Sequence, residues 1–149
     1  MSAEERLLST PQASEALGAA VARALQPGEA VCLWGPLGAG KTTLARGLIR
    51  AASGEDEIPS PTFTLVQTYE APAFPIAHFD LYRIEDPDEL EELGLDDALE
   101  LGAAVIEWPE RLGSRLPIDR LDIRLQVAGQ GRKARLERHG RWNGRSIDF

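Results

Sequence analysis

From residue 9 to 25, STPQASEALGAAVARAL, the apolar positions Leu17, Val21, Ala24 and Leu25 fall on one face of a 3.6-residue repeat. A hydroxyl residue stands before Pro11, whose missing N–H is harmless in a first turn, so the spacing predicts a helix. The rhythm then changes. EAVCLWG, residues 29–35, is a short unbroken apolar run of the kind a buried strand makes, and KTTLARGLIRAAS, residues 41–53, returns to helical spacing with Gly54 placed to close it. TFTLVQTYE (62–70) and FPIAHFDLYR (74–83) are rich in β-branched and aromatic residues and are separated only by APA, which predicts a hairpin or neighbouring strands.

Residues 85–102, EDPDELEELGLDDALELG, carry nine carboxylates from Glu85 to Glu100 among leucines 90, 93, 95 and 99. They predict short acidic helices broken at Gly94. AAVIEWPE, residues 103–110, is another apolar strand that stops at a carboxylate, an indole and a proline. From 119 to 129, DRLDIRLQVAG alternates Leu121, Ile123, Leu125 and Val127 with Asp122, Arg124 and Gln126, and GQGR turns it into KARLERHG. That is a half-exposed β-hairpin. Helices interleaved with both crossover strands and hairpins predict an α/β domain with a mixed parallel and antiparallel sheet flanked by helices.

At 149 residues the chain is sized for one domain, and 43% hydrophobic with 27% charged residues is the balance of a soluble fold. No apolar run approaches the roughly 20 residues of a membrane helix, and MSAEERLLST lacks the basic start and apolar middle of a signal peptide. The expected location is the cytoplasm, with no membrane partner. Cys32 lies in the first apolar strand and is expected to be a buried hydrophobe, and His78 and His139 are too few to build a zinc cluster with it. The net charge of −8 is unevenly placed. Residues 1–110 hold 6 basic and 20 acidic residues, whereas residues 111–149 hold 10 basic and 4 acidic. An acidic body argues against autonomous nucleic-acid binding, while the basic end could meet nucleotide, RNA or an acidic partner, or be a solvated hairpin.

The strongest chemical signal joins the first strand to the second helix. Gly35-Pro-Leu-Gly-Ala-Gly-Lys-Thr42 matches G-x-x-x-x-G-K-[ST] with a strand before it and a helix after it. Backbone N–H groups of Gly38, Ala39, Gly40, Lys41, Thr42 and Thr43 would converge on phosphates at a helix N-terminus. Lys41 would neutralise the β- and γ-phosphates of ATP, and the Thr42 hydroxyl would ligate magnesium. A metal site of this type also needs a carboxylate at the end of another strand. Asp80, ending FPIAHFD, and Glu107, ending AAVIEW, both qualify, and spacing alone does not choose between them. Ser60 and Thr62, in PSPTFTLV, sit among stiffening prolines and could sense a γ-phosphate as a switch loop does. His78 shares a strand face with Asp80 and reads as a partly buried structural histidine or a polar support. Trp34 reads as packing, and Trp108 as core or a partner-facing anchor.

Taken together, GPLGAGKTTLARG, SPTFTLVQTYE, HFDLYRIEDPDELEELGLDD and VIEWPERL, in that order, resemble the TsaE family, small P-loop ATPases of bacterial tRNA threonylcarbamoyladenosine biosynthesis. The resemblance is close from Gly35 to Leu112 and looser outside it. It implies a P-loop NTPase-like domain, a magnesium-dependent ATPase that is weak alone and supports turnover by TsaB and TsaD, touching tRNA only through that complex. It further implies that Glu107 ligates magnesium and that Asp80 has a water-mediated or catalytic role. Thr10 or Pro11 would lie near the adenine, Arg132 would contact nucleotide, and Trp108 would shape the site or face a partner. Two other readings of the loop stand beside it. A small-molecule kinase would use the same phosphate site, although only Arg46, Arg50 and Arg83 occur between Lys41 and Glu107 to serve as a lid. A nucleotide-gated binding module would need no rapid turnover.

Overall fold

In the computed structural model, which describes residues 3–59, 61 and 64–148, the strands are β1 (Ala3–Leu8), β2 (Ala30–Trp34), β3 (Val66–Tyr69), β4 (Ile76–Asp80), β5 (Ala103–Glu107), β6 (Arg120–Ala128) and β7 (Gly131–His139). The helices are α1 (Pro11–Ala24), α2 (Lys41–Ser53), α3 (Pro87–Glu92) and α4 (Leu95–Leu101), with a 3-10 segment at Pro109–Arg115. One sheet takes all seven strands in the order β1-β7-β6-β2-β5-β4-β3. The centre, β4-β5-β2-β6, is parallel, and antiparallel strands close both edges. Ala30 to Leu33 are buried on both faces of β2, which is why that strand reads as an unbroken apolar run.

Two layers cover the sheet. On one face α1 and α2 pack Leu17, Val21, Leu44 and Leu48 against Val31, Leu33, Val105, Leu121 and Ile123. On the other, α3, α4 and the 3-10 segment cover Ala30, Cys32, Phe79, Ala104 and Ile106 with Leu90, Leu99 and Leu112. α1 starts as predicted, with the Thr10 hydroxyl accepting from the Ala13 N–H at 3.1 Å. α2 ends at Gly54, whose N–H donates to the Arg50 carbonyl. The acidic stretch is two short helices with Gly94 between them. No helix among the described residues is long and apolar enough to cross a membrane.

Three features depart from the sequence pattern. AEERLL forms β1, although its charges hide the strand: among residues 4–8 only Leu8 is buried, while Glu4 is paired with Arg6 and Arg138 on the sheet edge. In β6 the alternation breaks at both ends, since Val127 is exposed beyond the helices and Asp122 is buried. Asp122 tolerates burial because Trp34 Nε1 donates to it at 2.8 Å and Arg120 Nε at 3.1 Å. A terminal segment also docks at the start of β2, where Arg145 donates to both oxygens of the wholly buried Glu29 at 2.6 and 2.8 Å.

Cys32 is wholly buried in β2, as expected, and burial pushes its thiol pKa up, further assisted by Asp122. The thiolate is the reactive form. A thiol reagent at pH 8 is therefore expected to leave the folded protein unmodified and to label Cys32 at the rate of unfolding in denaturant. Rapid stoichiometric labelling of the native chain would contradict the burial.

Candidate active site

The parallel register brings the C-terminal ends of β2, β4 and β5 together, with Asp80 directly opposite Glu107. The loop leaving β2 rises over these ends and enters α2 through Gly40, whose φ of 97° is open to glycine and strained for other residues. Lys41, Thr42, Asp80, Glu107, Trp108 and Arg132 then line one cavity of about 430 Å³ together with Gly38, Gly40 and Thr43.

Within it the two competing carboxylates are placed differently. The Thr42 hydroxyl donates to Glu107 Oε1 at 2.9 Å, and the other oxygen of Glu107 lies 2.6 Å from His78 Nε2. Asp80 instead accepts from the Tyr82 N–H at 3.1 Å. Thus Glu107 is joined to the hydroxyl of Thr42 in the first turn of α2, and Asp80 stands beside it at the cavity wall. His78 is wholly buried, more than the partly buried position expected, and its polar partner is Glu107.

Lys41 is held back against its own loop. Its ammonium donates to the Gly35 carbonyl and, at 3.1 Å, to that of Pro36, and sits 3.8 Å from the centre of the Trp108 ring. Burial pulls its pKa below the ordinary 10.5, against the opposing pull of Glu107, Glu110 and Asp80. An anion in the cavity would remove that penalty. Trp108 holds its indole there from a left-handed backbone, φ 62° and ψ 50°, a conformation that costs roughly 1–3 kcal/mol in a non-glycine residue. Pro109 and the ring of Tyr82, 4.8 Å away, hem it in, so Trp108 is a wall of the site.

The remaining expected residues fall into two groups. Thr10, Pro11, Gly40, Thr43 and Arg132 line a second cavity of about 100 Å³ behind the loop. The β6–β7 hairpin brings Arg132 there, and its guanidinium donates to the Gly38 carbonyl at 3.0 Å. Ala39 buries its methyl in the core, and its N–H donates to the Pro36 carbonyl at 3.1 Å, so its backbone is occupied within the loop. Ser60 and Thr62 lie outside the described residues. Tyr82, unassigned from sequence, and Arg83, weighed there only as a lid arginine, also line the larger cavity; their place two and three residues after Asp80 in HFDLYR was the available signal.

The chain is similar to known proteins in sequence and in fold. The family model for threonylcarbamoyl adenosine biosynthesis protein TsaE matches residues 8–135. The chain is 40% identical over 124 residues to the tRNA threonylcarbamoyladenosine biosynthesis protein TsaE of Rickettsia bellii, covering 83% of this chain and 86% of that one. The Bacillus subtilis protein of the same name is 37% identical over 120 residues, covering 80% and 75%. The crystal structure of Bacillus subtilis YdiB superposes with a TM-score of 0.79 at 27% identity, covering 95% of this chain and 89% of that one.

Proposed function

Because the chain belongs to the TsaE family, we propose that it is the ATP-binding and ATP-hydrolysing subunit that supports formation of threonylcarbamoyladenosine in tRNA, working with TsaB and TsaD in the cytoplasm. The observation that carries the reading is the contact between Thr42 and Glu107, 65 residues apart in sequence, at the mouth of the phosphate loop. Their oxygens are 2.9 Å apart, close to the spacing of about 2.9 Å between neighbouring ligands of an octahedral magnesium ion with bonds of 2.0–2.1 Å. Both are hard oxygen donors, so the pair fits magnesium. Gly38, where an added Cβ would meet nothing within 4 Å, leaves the loop surface open to a phosphate.

In this reading Thr42 and Glu107 would hold magnesium, which when bound would supply neutralisation of the phosphate charge. The chain's own residues do the rest. Lys41 exchanges its two carbonyl partners for phosphate oxygens. Asp80, which lies opposite Glu107 in the register, orients the attacking water in this reading. Arg132 and Thr10 or Pro11 bound the nucleotide from behind the loop, and Trp108 and Tyr82 form the wall that a partner can cover. Tyr82 is 41% exposed there, which leaves the site open to solvent on that side. A water-exposed site without a closed wall stabilises the transition state poorly, so the isolated chain is expected to hydrolyse ATP slowly.

The test is phosphate release by the chain alone and with TsaB and TsaD, followed by threonylcarbamoyladenosine formation on tRNA over many turnovers. Slow release alone, several-fold faster release with the partners, and repeated modification only when the chain is present are expected. Rapid turnover without partners would contradict the partner dependence. Phosphate recovered on an added metabolite instead of in water would replace this reading with a kinase.

A further inference from the structure

We propose that His78 is a positioning residue that holds Glu107 in the rotamer facing Thr42. This rests on the preceding reading, in which Thr42 and Glu107 bind magnesium. Glu107 is 2% exposed at the end of β5, and its two oxygens are divided between two donors. Thr42 takes Oε1 from the cavity side, and His78 takes Oε2 from within the sheet at 2.6 Å. Rotation of the carboxylate about its own axis would break both contacts, so the pair fixes its plane as well as its direction. A cation held by Thr42 and Glu107 would take the place of their hydrogen bond, and the bond from His78 would still hold the carboxylate.

The imidazole is itself tightly constrained. His78 is wholly buried on β4 opposite Val105, one strand repeat behind Asp80. A carboxylate only accepts, so the short contact places a hydrogen on Nε2. Nδ1 is buried with no hydrogen-bond partner among the described residues. A hydrogen there would be an orphaned buried donor, which folded proteins avoid more strictly than an unfilled acceptor. The geometry therefore selects one tautomer, the one that donates to Glu107. On its own face of the sheet, Ile76 of β4 and Val105 of β5 belong to the apolar core, where an imidazole adds nothing that a leucine would not; what distinguishes position 78 is its reach to Glu107. Outer partners of this kind orient metal ligands before the metal arrives, and their loss usually lowers metal affinity 10- to 100-fold.

Two measurements test it. Histidine side-chain nitrogen NMR of the nucleotide-free protein is expected to show His78 with a hydrogen on Nε2; an Nε2 without a hydrogen would overturn the proposal. Titration calorimetry then gives the ADP affinity with and without magnesium. His78→Leu is expected to reduce the magnesium-dependent gain roughly 10-fold or more with magnesium-free ADP affinity unchanged. His78→Gln, whose amide nitrogen reaches as far as Nε2, is expected to restore the gain. Full magnesium enhancement in His78→Leu, or a folded His78→Gln that fails to restore it, would overturn the role. Glu107→Ala separates the two levels. If the enhancement survives that change, the magnesium assignment falls; if it is lost there but kept in His78→Leu, only the role of His78 falls.

Discussion

Lys41→Ala is expected to weaken ATP binding by roughly 10²- to 10⁴-fold while leaving the nucleotide-free protein as stable as the parent within about 1 kcal/mol. The first figure follows from two charge-assisted hydrogen bonds to phosphate, each contributing about 1.5–3 kcal/mol. The second follows from how Lys41 sits in the free protein. It is 5% exposed, burial depresses its pKa against the weaker pull of Glu107, Glu110 and Asp80, and its partners are two loop carbonyls and an indole face, so the ammonium is desolvated with no carboxylate in ion-pair contact among the described residues. Alanine removes that cost along with the contacts, and water can reach the carbonyls it leaves. Calorimetry gives the affinity, and thermal melts with and without ATP give the stability. The parent melting temperature should rise with ATP and that of the variant should not. Retention of ATP affinity within a few-fold would remove the phosphate-loop assignment, whereas a large fall in the nucleotide-free melting temperature would show that Lys41 is part of the fold.

The lysine was legible because its whole context is local: an apolar strand, a glycine-rich turn and a helix lie in succession from Val31 to Ile49. The hairpin at 120–139 and the break at Gly94 were legible for the same reason, as period and turn chemistry are short-range. The choice between Asp80 and Glu107 was not. Both end apolar strands, and what separates them is that β5 lies directly beside β2, which brings Glu107 to Thr42. The resemblance to a family had already favoured Glu107, but the residues alone left the two level. The same long-range pairing hid the contact of His78 with Glu107, since a period-two reading assigns a face and not a partner. β1 was missed because an edge strand needs little burial: Leu8 is buried but follows Glu4, Glu5, Arg6 and an exposed Leu7, which give no alternation to detect. Burial of Asp122 was also invisible, because its partner Trp34 lies 88 residues away.

The helix that presents Lys41 and Thr42 depends on two glycines that no periodicity marks, and Gly18→Ala is expected to destabilise the protein by about 2 kcal/mol, lowering its melting temperature by roughly 6 °C. Gly18 of α1 and Gly47 of α2 allow the two helix backbones to meet. A Cβ on Gly18 would come 2.7 Å from Leu48 N and nearer still to the Leu44 carbonyl oxygen; one on Gly47 would lie 2.6 Å from Glu15 Cα. These are backbone atoms, so no rotamer change relieves the overlap, and α2 must move away from α1. Alanine is the better helix former by about 1 kcal/mol, which offsets part of the loss and sets the net figure below the full overpacking penalty. The displacement has a functional side. Leu44 and Leu48 lie one and two turns beyond Lys41, so a shift at their backbone also moves the N-terminal turn that would hold phosphate. Gly18→Ala should therefore lower ATP affinity although residue 18 does not line the cavity, and its effect should come with a lower melting temperature, the opposite pattern to Lys41→Ala. An unchanged melting temperature would mean that the helices separate without cost, and that α2 is not positioned by its contact with α1.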